Sequence, residues 1–250
     1  MLPKAIWLDP RREAEQPIAE SVNIPIDQLS DRVYELPKRS EIIRIADVGG
    51  EARQALDILV PLGFQAELGQ NFQFGMTKAS RLWSPTHFLE SIVDQLPVGQ
   101  ALDLACGSGR DSVYLASIGF RTMGWDHLTD AIEMAGGLAG RYLEDPSMCQ
   151  WKVCDLEQPL LLGEYDLVTC FLFLNRDVIR QVPNLVKQGG SFVMETFTTV
   201  HRDATGKPRR EHFALRPGEL PSLLPEFELQ LYVEDWHEGR HTARYWGVRN

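Results

Sequence analysis

Hydrophobic and polar positions alternate in two separate bouts along the 250 residues of this chain. In the first, residues 5–9 (AIWLD) and 21–25 (SVNIP) read as short buried strands, the second ending at Pro25, and 42–46 (IIRIA) as a third. Gly49 and Gly50 give a tight loop before residues 52–62, whose spacing predicts a helix that stops ahead of Gly63. The stretch after it, with three glycines from 63 to 75 and mixed polarity, reads as a linker, the join falling between 68 and 78. Beyond it, strands are predicted at 100–104, 121–126, 150–155, 165–171 and 191–197, and helices at 110–118, 130–138 and 177–186. Strands separated by helix-length segments imply an α/β fold with a doubly wound, mostly parallel sheet. Residues 228–234 and 242–248 flank the turn-like His237-Glu238-Gly239-Arg240 and predict an antiparallel C-terminal hairpin at one edge. Two domains follow, 1–72 and 73–250. An open sheet of this kind binds its ligand at the carboxyl ends of its strands.

Charge narrows the function classes. Lys and Arg number 25 against 35 Asp and Glu, a formal net charge of -10. That balance argues against a nucleic-acid-coating or membrane-surface protein, since both polyanions repel the average surface. The longest apolar runs fall far short of the roughly 20 residues that span a bilayer, and MLPKAIWLDPRR lacks a signal-type apolar core. The four cysteines, Cys106, Cys149, Cys154 and Cys170, form no CxxC and do not cluster with histidine. A reduced cytoplasmic enzyme without a metal is the expectation.

The chemistry concentrates in ALDLACGSGRD, residues 101–111. A strand ends at Leu104, Gly107 and Gly109 permit a tight turn, and a helix opens at Arg110 or Asp111, leaving free N–H groups for a ligand. An ordinary βα turn would look similar, but two further acids favour a site. Asp126 ends the next strand, 23 residues after Asp103, where a carboxylate can accept both hydroxyls of an adenosine ribose. Asp155 ends the third, where it can accept from an adenine amino group. The ligand is then a dinucleotide or S-adenosylmethionine. Gly107-Ser108-Gly109-Arg110-Asp111-Ser112 lacks the third glycine of G-x-G-x-x-G, and Asp111 would repel a pyrophosphate. A ligand carrying a sulfonium and an ammonium suits these acids better.

Residues 81–127 resemble the start of a class I S-adenosylmethionine-dependent methyltransferase of Rossmann-like fold, in the wording of the tellurite-resistance and thiopurine methyltransferase-like branch. The likeness continues through KVCDLEQPL, YDLVTCFLFLNRD, QGGSFVMETF and FALRPGEL. It implies that Asp103, Gly107 and Gly109 shape the methionine pocket, that Asp126 beside His127 binds ribose, that Asp155 and Leu156 frame adenine, and that Phe171 walls the cofactor. Ala105 stands where the branch usually has the loop's first glycine. Residues 5–64 resemble a shortened rhodanese domain, through LDPRREAE, SVNIPIDQL and IIRIADVGGEARQALDILVPLGF. The catalytic cysteine of that family would fall at Ala46 or Asp47, and no cysteine precedes Cys106, so persulfide chemistry is not expected. Structural support, docking of a protein partner or a dimer, and product-channel cover remain open as its roles.

Methyl transfer from a sulfonium needs alignment and water exclusion more than a general base, so no obligatory catalytic residue is readable. FLFLNRD lacks the Asn/Asp-Pro-Pro-aromatic motif that orients amide or amino nitrogens, which favours a small-molecule acceptor with a soft heteroatom such as S, Se or Te. Trp83 either caps the cofactor or packs the linker, and Glu195 either meets substrate or is solvated. Arg209 and Arg210, in the basic stretch 201–212, either attract an anionic substrate as part of a lid or belong to a solvated loop. Two other readings stay open: a non-catalytic cofactor-binding regulator, and an RNA or protein methyltransferase.

Overall fold

A computed structural model of the chain describes residues 2–76, 80–158 and 163–250. The predicted join at 68–78, and the end of KVCDLEQPL at Pro159 and Leu160, therefore lie partly outside the described residues. The chain divides into two units, Met1–Ser84 and Pro85–Asn250.

In the first unit, β1 (Trp7–Asp9), β2 (Ser21–Asn23), β3 (Ile42–Ala46) and β4 (Gln65–Gly69) form, among the described residues, a four-stranded parallel sheet in the order β2-β1-β3-β4. Helix α1 (Glu51–Leu59) turns Ala52, Ala55 and Leu59 inward at helical spacing. β4 corrects the linker reading. Gln65 and Glu67 alternate with Ala66 and Leu68, a period-2 run too short to stand out between Gly63 and Gly69, and Gln65 to Gly69 run in register with Ile42 to Ala46. Gly69 is needed there because the Trp7 ring would stand 2.4 Å from any Cβ. Residues beyond 72 also bond within this unit. Ala19 N donates to Gln73 O at 2.8 Å, Arg81 N to Pro3 O at 2.9 Å, and Ala5 N to Arg81 O at 2.7 Å.

The second unit begins with α2 (His87–Ile92) and then alternates: β5 (Gln100–Leu104), α3 (Arg110–Ser117), β6 (Arg121–Asp126), α4 (Thr129–Tyr142), β7 (Cys149–Val153), β8 (Tyr165–Phe171), α5 (Arg176–Ile179), β9 (Val186–Phe197). It closes with α6 (Thr199–Thr205), α7 (Glu219–Ser222), β10 (Phe227–His237) and β11 (Arg240–Arg249). Among the described residues, seven strands form one sheet in the order β10-β11-β9-β8-β5-β6-β7. β7, β6, β5, β8 and β9 are mutually parallel, and β11 runs antiparallel between β9 and β10. The central strand β5 is buried from Ala101 to Leu104, as a strand covered on both faces must be. The predicted doubly wound sheet and C-terminal hairpin both stand.

Two local readings change. The helix expected over 177–186 ends at Ile179, because Pro183 supplies no N–H and disfavours helical backbone at the residue before it; a short 3-10 turn follows and β9 starts at Val186. The stretch 201–212 is not all loop. Thr198 Oγ1 accepts from His201 N at 3.4 Å to cap α6, and Gly206 at φ 72° ends it. Among the described residues no helix is long and apolar enough to cross a membrane.

Candidate functional site

β5, β6 and β7 release the chain at the same edge of the sheet, and one residue, through its side chain and its backbone carbonyl, ties the three departing loops. Asp126 Oδ2 accepts from Gly107 N at 2.9 Å, Oδ1 accepts from Leu128 N at 3.0 Å, and its carbonyl accepts from Cys154 N at 2.8 Å. Cys106 N donates to Trp125 O at 3.0 Å, fastening the first loop to β6 a second time. Ala105, Gly107 and Gly109 all hold left-handed backbone, at φ 57°, 53° and 78°. The two glycines differ in what surrounds them. A Cβ on Gly109 would come within 2.7 Å of both Ala135 and Trp151, whereas one on Gly107 would meet nothing within 4 Å. Gly109 is demanded by helix packing, Gly107 by the turn alone.

Beside this turn lies a cleft of about 510 Å³ lined by Ala105, His127, Asp155, Leu156 and Glu157, with Phe173 and Phe213 as aromatic walls. That volume is within the range of small-ligand sites, ~300–1,000 Å³. Four residues singled out in the sequence thus meet in one cavity, and Asp126 adjoins it through His127, whose Nδ1 stands 3.4 Å from Asp126 Oδ1. Asp155 is exposed two residues past β7, its Oδ1 accepting from Glu157 N at 3.0 Å. Leu156 is buried against the main core. Phe171 is half-buried at the end of β8 and is not among the lining residues; Phe173 is. Sequence reasoning missed Phe173 and Phe213 as walls, although both stand in quoted motifs, FLFLNRD and FALRPGEL.

Asp103 is buried, with Oδ2 accepting from Ser112 Oγ at 2.6 Å and Oδ1 from Thr169 Oγ1 at 2.9 Å. It braces β5 to α3 and β8. Asp111 is engaged too: its two oxygens accept from Thr86 N at 2.6 Å and Thr86 Oγ1 at 2.9 Å, fixing the start of α2. Burial, reinforced by the Asp111 charge, pushes Asp103 up to about 7 against the pull of its two hydroxyl partners, and burial raises Asp111 as well. A carboxyl whose folded pKa lies above its unfolded value binds extra protons in the folded state. Its contribution is full below the unfolded pKa and is lost as pH rises through the folded one. Stability should therefore fall as pH climbs from about 4 to about 7, and Asp103→Asn should flatten that slope in denaturant midpoints taken across the range. An unchanged slope would refute the assignment.

Among the substrate-side residues, Glu195 is half-buried at the end of β9, with Oε1 accepting from Thr242 Oγ1 at 2.8 Å. Trp83 belongs to the first unit and is fully buried, its carbonyl accepting from Arg81 Nη1 at 2.6 Å. Arg209 and Arg210 are exposed and do not line the cleft. His201 is buried against Phe197 with ring centroids 4.7 Å apart, and burial first, then Arg240 and His241, lowers its pKa. The thiols of Cys106, Cys149 and Cys170 are pushed up by burial, so none is a ready thiolate. No group of three or more His, Cys, Asp or Glu among the described residues is arranged to hold a metal.

The family model for the tellurite resistance protein TehB matches residues 81–245, about two thirds of the sequence. This chain belongs to the TehB family. A TehB-family protein of Haemophilus influenzae (strain Rd), a probable S-adenosyl-L-methionine-dependent methyltransferase, is 26% identical over 192 residues, covering 72% of this chain and 59% of that one. A counterpart in strain 10810 is 28% identical over 146 residues, 55% of this chain and 46% of its own length. The chain thus spans about half the length of the curated relatives it matches. Among solved structures, TehB from Haemophilus influenzae superposes with a TM-score of 0.55 at 20% identity, over 67% of this chain and 63% of that one. Magnesium protoporphyrin IX methyltransferase of Synechocystis, crystallised with bound SAH, gives 0.54 at 20% identity over 65% and 80%. At such identities the superpositions establish the shared Rossmann-like methyltransferase fold.

Proposed function

We propose that the second unit binds S-adenosylmethionine in the cleft beside Asp126 and passes its methyl group to a small-molecule acceptor, with a soft heteroatom (S, Se or Te) as the receiving atom. The observation that carries the reading is the convergence of the three strand-end loops on Asp126, next to a cavity with apolar walls. The donor groups fit. Each Asp126 oxygen spends one lone pair on a backbone N–H, leaving capacity for ribose hydroxyls. Gly107 opens onto free space where a ligand can approach the backbone. Phe173, Phe213 and Leu156 offer apolar and aromatic surface for a base, with Asp155 able to accept from its amino group. When bound, S-adenosylmethionine supplies a methyl group on a cationic sulfur that leaves as a neutral thioether. The chain's part is to hold donor and acceptor in line and to exclude water. An acceptor already ionised needs no proton removed. The family's description as a tellurite resistance protein supports a metalloid among the candidate acceptors.

The first unit we read as a rhodanese-like domain without a catalytic thiol. Its parallel order β2-β1-β3-β4 and the loop from Ala46 through Gly49 and Gly50 into α1 support that reading, with Ala46 or Asp47 where the resemblance puts the nucleophile. Without a thiol, the roles open to it are structural support, docking of a protein partner or a second copy, and product-channel cover. Four free cysteines fit a reducing compartment such as the cytoplasm. Calorimetry with S-adenosylmethionine, followed by a mass-spectrometric screen of small thiols and metalloid oxyanions for methylated products, tests the whole. A methylated thiol or metalloid is the expected result. Absence of any heat of binding would end the cofactor reading; binding without a methylated product from any acceptor would favour a non-catalytic regulator.

A further inference from the structure

Arg176 opens α5, and its guanidinium is spent on a single target 36 to 43 residues further along the chain. Nε donates to Glu219 Oε1 at 2.5 Å and Nη2 to Glu219 Oε2 at 2.8 Å, a forked ion pair. Nη1 donates to the carbonyl of His212 at 2.7 Å, and Nη2 also to that of Ala214 at 3.1 Å. Those two carbonyls bracket Phe213. Glu219 is fixed from its other side, since Oε2 accepts from Arg216 N at 2.8 Å. The pair is largely shielded, with 24% and 17% of the side-chain surfaces exposed. Each partner favours the other's charged form, the guanidinium rising and the carboxyl falling in pKa. Phe213, in contrast, is 40% exposed and is no part of the core, yet it lines the cleft together with Leu156 and Phe173. A half-exposed aromatic ring has little packing of its own to hold it in place; here the backbone on both sides of it is pinned by one arginine.

We infer that Arg176 and Glu219 are positioning residues for the ligand: their fork holds residues 212–214 so that Phe213 covers the nucleoside end of the cleft. This rests on the proposal that the cleft takes S-adenosylmethionine. The geometry, not the charge, carries the effect, because a lysine ammonium cannot donate at once to both carboxylate oxygens and two carbonyls in one plane. Arg176→Lys should therefore act as a loss.

The test is S-adenosylhomocysteine affinity by calorimetry for the full chain, Phe213→Ala, Arg176→Lys and the double variant, with circular dichroism confirming the fold. Phe213→Ala should weaken binding by roughly tenfold, within the range for losing one base–aromatic contact. Arg176→Lys should weaken it comparably, and the double variant should bind no worse than the weaker single one, because a ring no longer held has nothing left to lose. A purely structural arginine would lower stability without this non-additivity. Tryptic cleavage after the exposed Arg209 and Arg210 gives a second readout, slowed by S-adenosylhomocysteine in the wild type and not in Arg176→Lys. Should Arg176→Lys fail to fold, Glu219→Gln and Phe213→Ala carry the same comparison. Wild-type binding with full affinity in Arg176→Lys, or additive losses, would overturn the clamp alone. No binding by the wild type would overturn the cofactor reading and this inference with it.

Discussion

Asp126→Ala should reduce affinity for S-adenosylmethionine by about 10²–10⁴-fold, the largest loss expected from any single side chain of the cleft. The figure follows from two accepting bonds to ribose hydroxyls, each contributing about 1.5–3 kcal/mol when the acceptor is ionised, with about 1.4 kcal/mol per decade of affinity. The same substitution leaves Gly107 N and Leu128 N without their acceptor. It therefore also loosens the turn that shapes the cavity, and the melting temperature should drop. Asp126→Asn separates the two effects. Its single amide oxygen can still receive one of the backbone N–H groups, so stability should recover in part, while loss of the charge keeps ribose binding weak. Calorimetry at matched fold content reads the outcome. An Asp126→Ala protein that binds as the wild type does would place the ribose elsewhere.

The edge to which Asp126, Gly107 and Asp155 come is legible because alternation locates β6, strand ends fall at predictable places and a parallel sheet brings them together. Ala105, His127 and Leu156 are legible only through the family resemblance, and the structure brings them with Asp155 to one cleft. What escaped depends on contacts that no local pattern encodes. β4 alternates polar and apolar residues over only five positions, too short a run to stand apart from a loop, and is fixed as a strand by pairing with β3 and by admitting the Trp7 ring over Gly69. Phe213 becomes a wall of the cleft through Arg176, which is 37 positions away in sequence. The helix expected over 177–186 overlooked Pro183, a signal that was present and outweighed by apolar spacing. Asp111 looked like a charge aimed at a ligand, and its two bonds to Thr86 tie it instead to the start of α2.

Gly107 and Gly109 look equivalent in the sequence, and their alanine variants should part company. Gly109→Ala puts a methyl within 2.7 Å of Ala135 Cβ and Trp151 Cη2, and 3.1 Å from the α4 backbone at Ala135 Cα, at φ 78°. Overpacking costs about 1–3 kcal/mol and left-handed backbone at a non-glycine residue about 1–2 kcal/mol, so a loss of roughly 2–5 kcal/mol in stability is expected. α3 and α4 must separate to admit the methyl, since Ala135 is too short to move aside. Gly107→Ala meets no atom within 4 Å at φ 53° and should lose only the backbone penalty, about 1 kcal/mol. Its methyl instead enters the space left for a ligand, so its larger effect should fall on S-adenosylmethionine affinity, with the denaturant midpoint moving less than in Gly109→Ala. Ala105, already left-handed at φ 57°, shows that this turn accommodates a methyl on left-handed backbone. Paired denaturation and calorimetry on the two variants settle the division of labour: if Gly107→Ala proves the less stable protein, or Gly109→Ala alone impairs binding, then the open face of the turn is not where the ligand approaches.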